Sequence, residues 1–118
     1  MTLLTQLLLI VVALLHLGFM ILEMLLWTRP IGRRIFRMDQ QTAAATRTLA
    51  ANQGLYNGLL AAALIGSLFL QQEARTVQLF LLICIIIAGI FGALTASRRI
   101  LYVQALPAFL ALIPLSLG

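Results

Sequence analysis

Four stretches of this chain are poor in charge, and short polar or arginine-bearing segments separate them. From Thr2 to Trp27 only Gln6, His16 and Glu23 interrupt the apolar run. The second stretch begins with alanine-rich, helix-forming sequence from Gln40 to Leu49, enters a more apolar region near Thr46 or Arg47, and continues to about residue 71. Thr76 to Ser97 and Ile100 to Leu117 are the third and fourth. At about 1.5 Å of rise per residue, a helix of roughly 20 residues crosses about 30 Å of hydrocarbon. The pattern predicts an all-α fold: a four-transmembrane-helix bundle of up-down topology, with helices at about 2–27, 40–71, 76–97 and 100–117, forming one integral membrane domain over 1–118.

Composition agrees with a bilayer rather than with water as the solvent. Of 118 residues, 63% are hydrophobic and 9% charged, and the mean hydropathy is +1.09; a soluble globule carries about a quarter of its residues as charges. All eight basic residues are arginines, and against three acids they leave a net charge of +5. These arginines flank apolar runs instead of building a basic face, so no nucleic-acid partner is expected. Their distribution predicts orientation. Arg29, Arg33, Arg34, Arg37 and Arg47 fall between the first and second helices and Arg98 and Arg99 between the third and fourth, while the second and third are joined by a segment with Arg75 alone. Short arginine-rich loops stay in the cytoplasm, which puts both termini outside. The start, Met1 to Gln6, has no basic side chain, unlike a cleaved signal peptide, so the first helix is expected to be retained.

Segment 28–39 mixes Arg33, Arg34 and Arg37 with Ile31, Ile35, Phe36 and Met38 and follows Arg29-Pro30, which is expected to end the first helix. It reads as an interfacial basic loop at headgroup level, with a dedicated anion-binding loop as the functional alternative. Asp39 suits the N-cap of the second helix. Small residues form rows that let helices approach: Gly58, Ala62 and Gly66 on the second, and Ala88, Gly92 and Ala96 with Gly89, Ala93 and Ser97 beside them on the third. The single cysteine, Cys84, has no partner for an internal disulfide and sits in an apolar run as a small hydrophobe.

Candidate chemistry gathers in one half of the bundle. Glu23 lies a turn before the cytoplasmic end of the first helix, Asn52, Gln53 and Asn57 lie early in the second, and Gln104 lies just over a turn into the fourth. The outer half is expected to be nearly devoid of polar side chains. Stranding an ionisable or amide group in lipid costs a few kcal/mol, so five such groups in one half mark a candidate site. His16, Met20, Glu23 and Trp27 follow spacings of four, three and four and share a stripe. The stripe is expected to face the amides, with Glu23 accepting hydrogen bonds from Asn52, Gln53 or Asn57 or pairing with Arg47 or Arg98. The ligand-binding set is then Glu23, Asn52, Gln53, Tyr56, Asn57, Arg98 and Gln104, with Glu23 and His16 the candidates for any catalytic step. The bland alternative is that these groups only join helices. No second histidine or cysteine stands near His16, so no metal and no cofactor are expected.

The spacing His16-Leu-x-x-Met20-x-x-Glu23-x-x-x-Trp27, the run Ala50-Ala51-Asn52-Gln53-Gly54-Leu55-Tyr56-Asn57-Gly58, and Gly89-x-x-Gly92 followed by Ser97-Arg98 and Gln104-x-x-Pro107 resemble the small bacterial membrane proteins grouped as domain of unknown function 1304. The likeness spans almost the whole chain. It implies a four-helix, multi-pass protein of the bacterial cytoplasmic (inner) membrane and assigns no activity. Arg47, Asn52 and Tyr56 are also similar in order to the second-helix residues of the membrane-associated eicosanoid and glutathione metabolism family, although Leu55 stands where that family has an acid and Arg47 lies further from the asparagine.

The leading expectation is a site for a small amphipathic or lipid-like molecule opening to the cytoplasmic leaflet, in a homo-oligomer because four helices enclose little volume. The alternatives are a small transporter, since small four-span exporters also place a glutamate in the first helix; a glutathione- or lipid-metabolising enzyme; and a structural or accessory subunit.

Overall fold

The structure is a computed structural model and describes residues 2–118. Among the described residues the chain is all-α, with no strand: α1 Leu3–Met24, α2 Pro30–Phe36, α3 Gln40–Ser67, α4 Ala74–Thr95, a π-helical segment Leu101–Ala105, and α5 Leu106–Leu117. Two of these, α1 and α4, are long and apolar enough to cross a membrane, and Leu101–Leu117 is a shorter apolar stretch.

The helix ends differ from the sequence expectation for local reasons. The first helix stops at Met24, three residues early, where the amides of Leu25 and Leu26 both bond the carbonyl of Ile21 and close the last turn. Arg29-Pro30 therefore does not end α1. The proline opens α2 at its first position, while Arg29 before it is extended at φ −77°, ψ 159°, as crowding by the proline ring requires. Segment 28–39 is thus largely helix. Arg37 ends α2 in the left-handed region at φ 54°, and the amides of Arg37 and Met38 return to the carbonyl of Arg33. Asp39 caps α3 as expected, accepting from the Thr42 amide at 2.7 Å. Short i→i−3 bonds at Leu68, Phe69 and Leu70 finish α3 at Ser67 rather than residue 71. The third helix begins at Ala74, two residues early, and ends at Thr95, where the amides of Ala96 and Ser97 share the carbonyl of Gly92.

The largest departure is in the last stretch. Pro107 has no N–H for the carbonyl of Val103, and its ring crowds that carbonyl in a regular helix. The five residues before Leu106 form a wider π turn, with the Leu106 amide reaching Leu101.

The chain groups into two compact units, one made of residues up to Leu15 with Ala61–Gly118, the other of His16–Leu60. In the first, α4 buries Ala74, Gln78, Leu82, Ile85 and Gly89, one stripe at spacings of four and three. A Cβ on Gly89 would lie 2.7 Å from the backbone nitrogen of Ala105. The α4 glycines serve close packing against the fourth stretch, but Ala88 and Ala96 of the expected row are exposed. On α3 the buried stripe is Ala50, Gly54, Asn57, Ala61 and Leu64, leaving Ala62 and Gly66 of the other expected row exposed.

Candidate functional site

The unit His16–Leu60 holds the polar pair on which a site could be built. Gly54 and Gly58 present bare backbone: a Cβ on Gly54 would come within 3.0 Å of the Glu23 Cβ and 2.7 Å of the Met24 side chain, and one on Gly58 within 2.5 Å of the Met20 sulfur. The close approach brings Asn57, only 5% exposed, to donate through Nδ2 to Oε1 of half-buried Glu23 at 2.5 Å. The amide N–H and the carboxyl oxygen each supply what the other needs on leaving water. One turn further along the same stripe of the chain, the Trp27 indole N–H donates to Thr46 Oγ1 at 2.9 Å, and that hydroxyl donates to the carbonyl of Thr42. The rings of Trp27 and Phe36 are 4.7 Å apart.

Three more residues of the expected set share this unit but lie off the buried face of α3. Asn52, Gln53 and Tyr56 are exposed, the last by 57%, because the buried face of α3 follows its small residues and has room for one amide. His16 is fully buried and meets Phe19 edge-on, with ring centres 5.1 Å apart. Gln104, half-buried in the π segment, and exposed Arg98 belong to the other unit. Among the described residues no group of three or more His, Cys, Asp or Glu side chains is placed to hold a metal ion.

Polar side chains are buried in the other unit as well. The unit containing Ala61–Gly118 buries Thr5, Ser67 and Gln78. Ser67 Oγ donates to the carbonyl of Leu64, Gln78 Nε2 reaches the carbonyl of Ser67 at 3.4 Å, and Gln78 Oε1 has no hydrogen-bond partner among the described residues. Arg75 donates through Nε and Nη2 to the carbonyls of Leu115 and Ser116 at the end of α5, where a cation offsets the helix dipole. The signal was in the sequence: Gln78 stands four residues after Ala74 and before Leu82, on the buried stripe of α4. This unit also has two recesses. One, of about 210 Å³, is lined by Thr2, Thr5, Gln71 and Arg75 among others, and a wholly apolar one of about 260 Å³ lies along Ile86, Ile90 and Phe109. Neither is lined by Glu23 or Asn57.

The family described as Protein of unknown function (DUF1304) matches residues 10–116, a span that takes in both Glu23 and Asn57. The chain belongs to that family. It is similar to the protein called Uncharacterized protein YpaA of Lactococcus lactis subsp. lactis (strain IL1403), at 36% identity over 115 residues, covering 96% of this chain and 97% of that protein. No solved structure matches the chain.

Proposed function

We propose that this protein is a four-span, multi-pass protein of the bacterial cytoplasmic membrane, with both termini outside, that binds a small amphipathic or lipid-like molecule in the cytoplasmic half of its bundle. Supporting the spans are two helices of 22 residues, α1 and α4, the 28 residues of α3 and the apolar fourth stretch; the placement of arginines supports the orientation. Self-association fits a bundle of so few helices, which encloses little volume.

The observation that carries the binding reading is the Asn57 to Glu23 hydrogen bond, lying against two glycines that face methionine side chains. Thioether side chains are flexible and repack readily. Swinging Met20 off Gly58 would open a trough for an alkyl chain beside a carboxylate that Asn57 orients. Glu23 then receives a cationic or hydroxyl-bearing head.

Thermal unfolding of the detergent-solubilised protein with oleylamine and with monoolein tests this. Wild type is expected to gain several degrees with oleylamine, and Glu23→Gln to lose that gain while unfolding cooperatively. No response of wild type to either amphiphile, or an oleylamine response unchanged in Glu23→Gln, overturns the reading.

A further inference from the structure

The short helix α2 has a composition that helix packing alone does not explain. Between residues 28 and 38 there are four arginines and no acid. The nearest acid, Asp39, already accepts from the Thr42 amide. Arg29 and Arg37 flank the helix at its two ends, and Arg33 lies within it. Arg33 is the inner member. Its Nε is buried and has no hydrogen-bond partner among the described residues, although the side chain as a whole is partly exposed. A buried guanidinium N–H without an acceptor is costly, so the position calls for an anion with several acceptor oxygens.

The helix is also held firmly enough to be a seat and not a loose basic loop. Gly32 is buried, and a Cβ there would collide with the carbonyl of Leu26 and lie 3.0 Å from that of Trp27. Trp27 is fixed on one side by its bond to Thr46 and packs against Phe36 on the other. Ile31, 50% exposed, and Ile35 are one turn apart and leave an apolar flank open beside the arginines. Exposed isoleucines, arginines and a tryptophan within one short segment are what a headgroup boundary accommodates.

We infer that α2 forms a binding site for the phosphate of an anionic phospholipid in the leaflet facing it, with Arg33 as the inner ligand, Arg29 and Arg37 beside it, and the Ile31 and Ile35 flank against the acyl region. This rests on the membrane reading given above but not on the Glu23 ligand. The guanidinium fork grips two phosphate oxygens at once, which an ammonium does not.

The test is native mass spectrometry and thermal unfolding of the full chain reconstituted in phosphatidylcholine with and without phosphatidylglycerol. Phosphatidylglycerol is expected to stay bound to wild type and raise its Tm. Its occupancy should fall about tenfold in Arg33→Gln, with a smaller fall in Arg33→Lys, which keeps the charge, and should hold in Arg47→Gln, which removes an exposed arginine of α3. Equal retention of the two lipids by wild type overturns the site whether or not any variant folds. An equal loss in Arg33→Gln and Arg47→Gln reduces it to diffuse attraction and also overturns it. Inorganic phosphate added in lipid-free detergent should leave Tm unchanged; a rise matching that with phosphatidylglycerol overturns the lipid as occupant. The oleylamine response of Glu23 is read separately, so either proposal fails without the other.

Discussion

The two compact units bury polar groups by opposite means. In His16–Leu60 an amide and a carboxylate satisfy each other through side chains alone, across a contact lubricated by methionines. In the unit containing Ala61–Gly118, buried Ser67 and Gln78 and exposed Arg75 lean on backbone carbonyls, and the Gly89 contact sets backbone against backbone at Ala105. The first arrangement can be rearranged by turning side chains. The second moves only if helices move. The ligand site proposed above draws on the first arrangement.

The strongest way to break this contrast is to add one methyl group to each contact. Gly89→Ala puts its Cβ 2.7 Å from the Ala105 nitrogen and 2.8 Å from the Ala105 Cβ. Relief requires shifting the π segment, and overpacking of this sort costs about 1–3 kcal/mol. Gly58→Ala meets the flexible Met20 side chain, its sulfur most closely at 2.5 Å, and should cost less than about 1 kcal/mol. Thermal unfolding in detergent ranks the two. A Gly58→Ala loss as large as that of Gly89→Ala would show that the methionine contact is not adaptable.

Removing the amides sharpens the same contrast. Asn57→Leu leaves a half-buried Glu23 carboxylate without its donor and should cost about 2 kcal/mol. Gln78→Leu forfeits one 3.4 Å contact and removes an oxygen that has no partner. The outcome expected is no loss, or a gain of up to about 1 kcal/mol, since replacing an unsatisfied buried polar group by an apolar one of similar shape relieves its desolvation. Chemical denaturation of both variants in one detergent gives the comparison. Substantial destabilisation by Gln78→Leu would mean that the oxygen has a role in the folded protein.

These contrasts also mark what the sequence disclosed. Of the expected stripe, His16, Met20 and Glu23 lie on α1 at helical spacings and Trp27 lies beyond its end, yet Glu23 and Trp27 both find partners on α3. The choice among three amides was not legible from spacing by four. Gln53 stands four before Asn57, yet the packed face of α3 follows Ala50, Gly54, Asn57 and Ala61, and on a helix about 100° per residue carries Asn52 and Gln53 off it. The small residues Ala50, Gly54 and Ala61 mark that face, whereas Ala62 and Gly66 of the expected row are exposed, so the choice of row was not legible from small residues alone. The widened turn at Leu101–Ala105 has no such signature: Pro107 announces a disturbed helix without saying whether it kinks or widens.

The smallest effect expected lies outside the apolar stretches, at the turn between α2 and α3. Asp39 is fully exposed, and its carboxyl is held below its ordinary range by hydrogen bonding from the Thr42 backbone amide first and from the Thr42 side chain second, against a small opposing effect of burial. A carboxylate whose pKa is lower in the folded than in the unfolded chain adds stability at pH above the unfolded value. That contribution is lost as pH falls through the folded one. Acidification should therefore fray the first turn of α3, read as faster exchange of the Thr42 and Ala43 amides in the acid range. Asp39→Asn keeps a cap of the same shape without the titrating proton. Its exchange rates should lose the acid step relative to wild type, once the intrinsic pH dependence is removed. An acid step that survives the substitution would assign the fraying to another group and separate the turn from the cap.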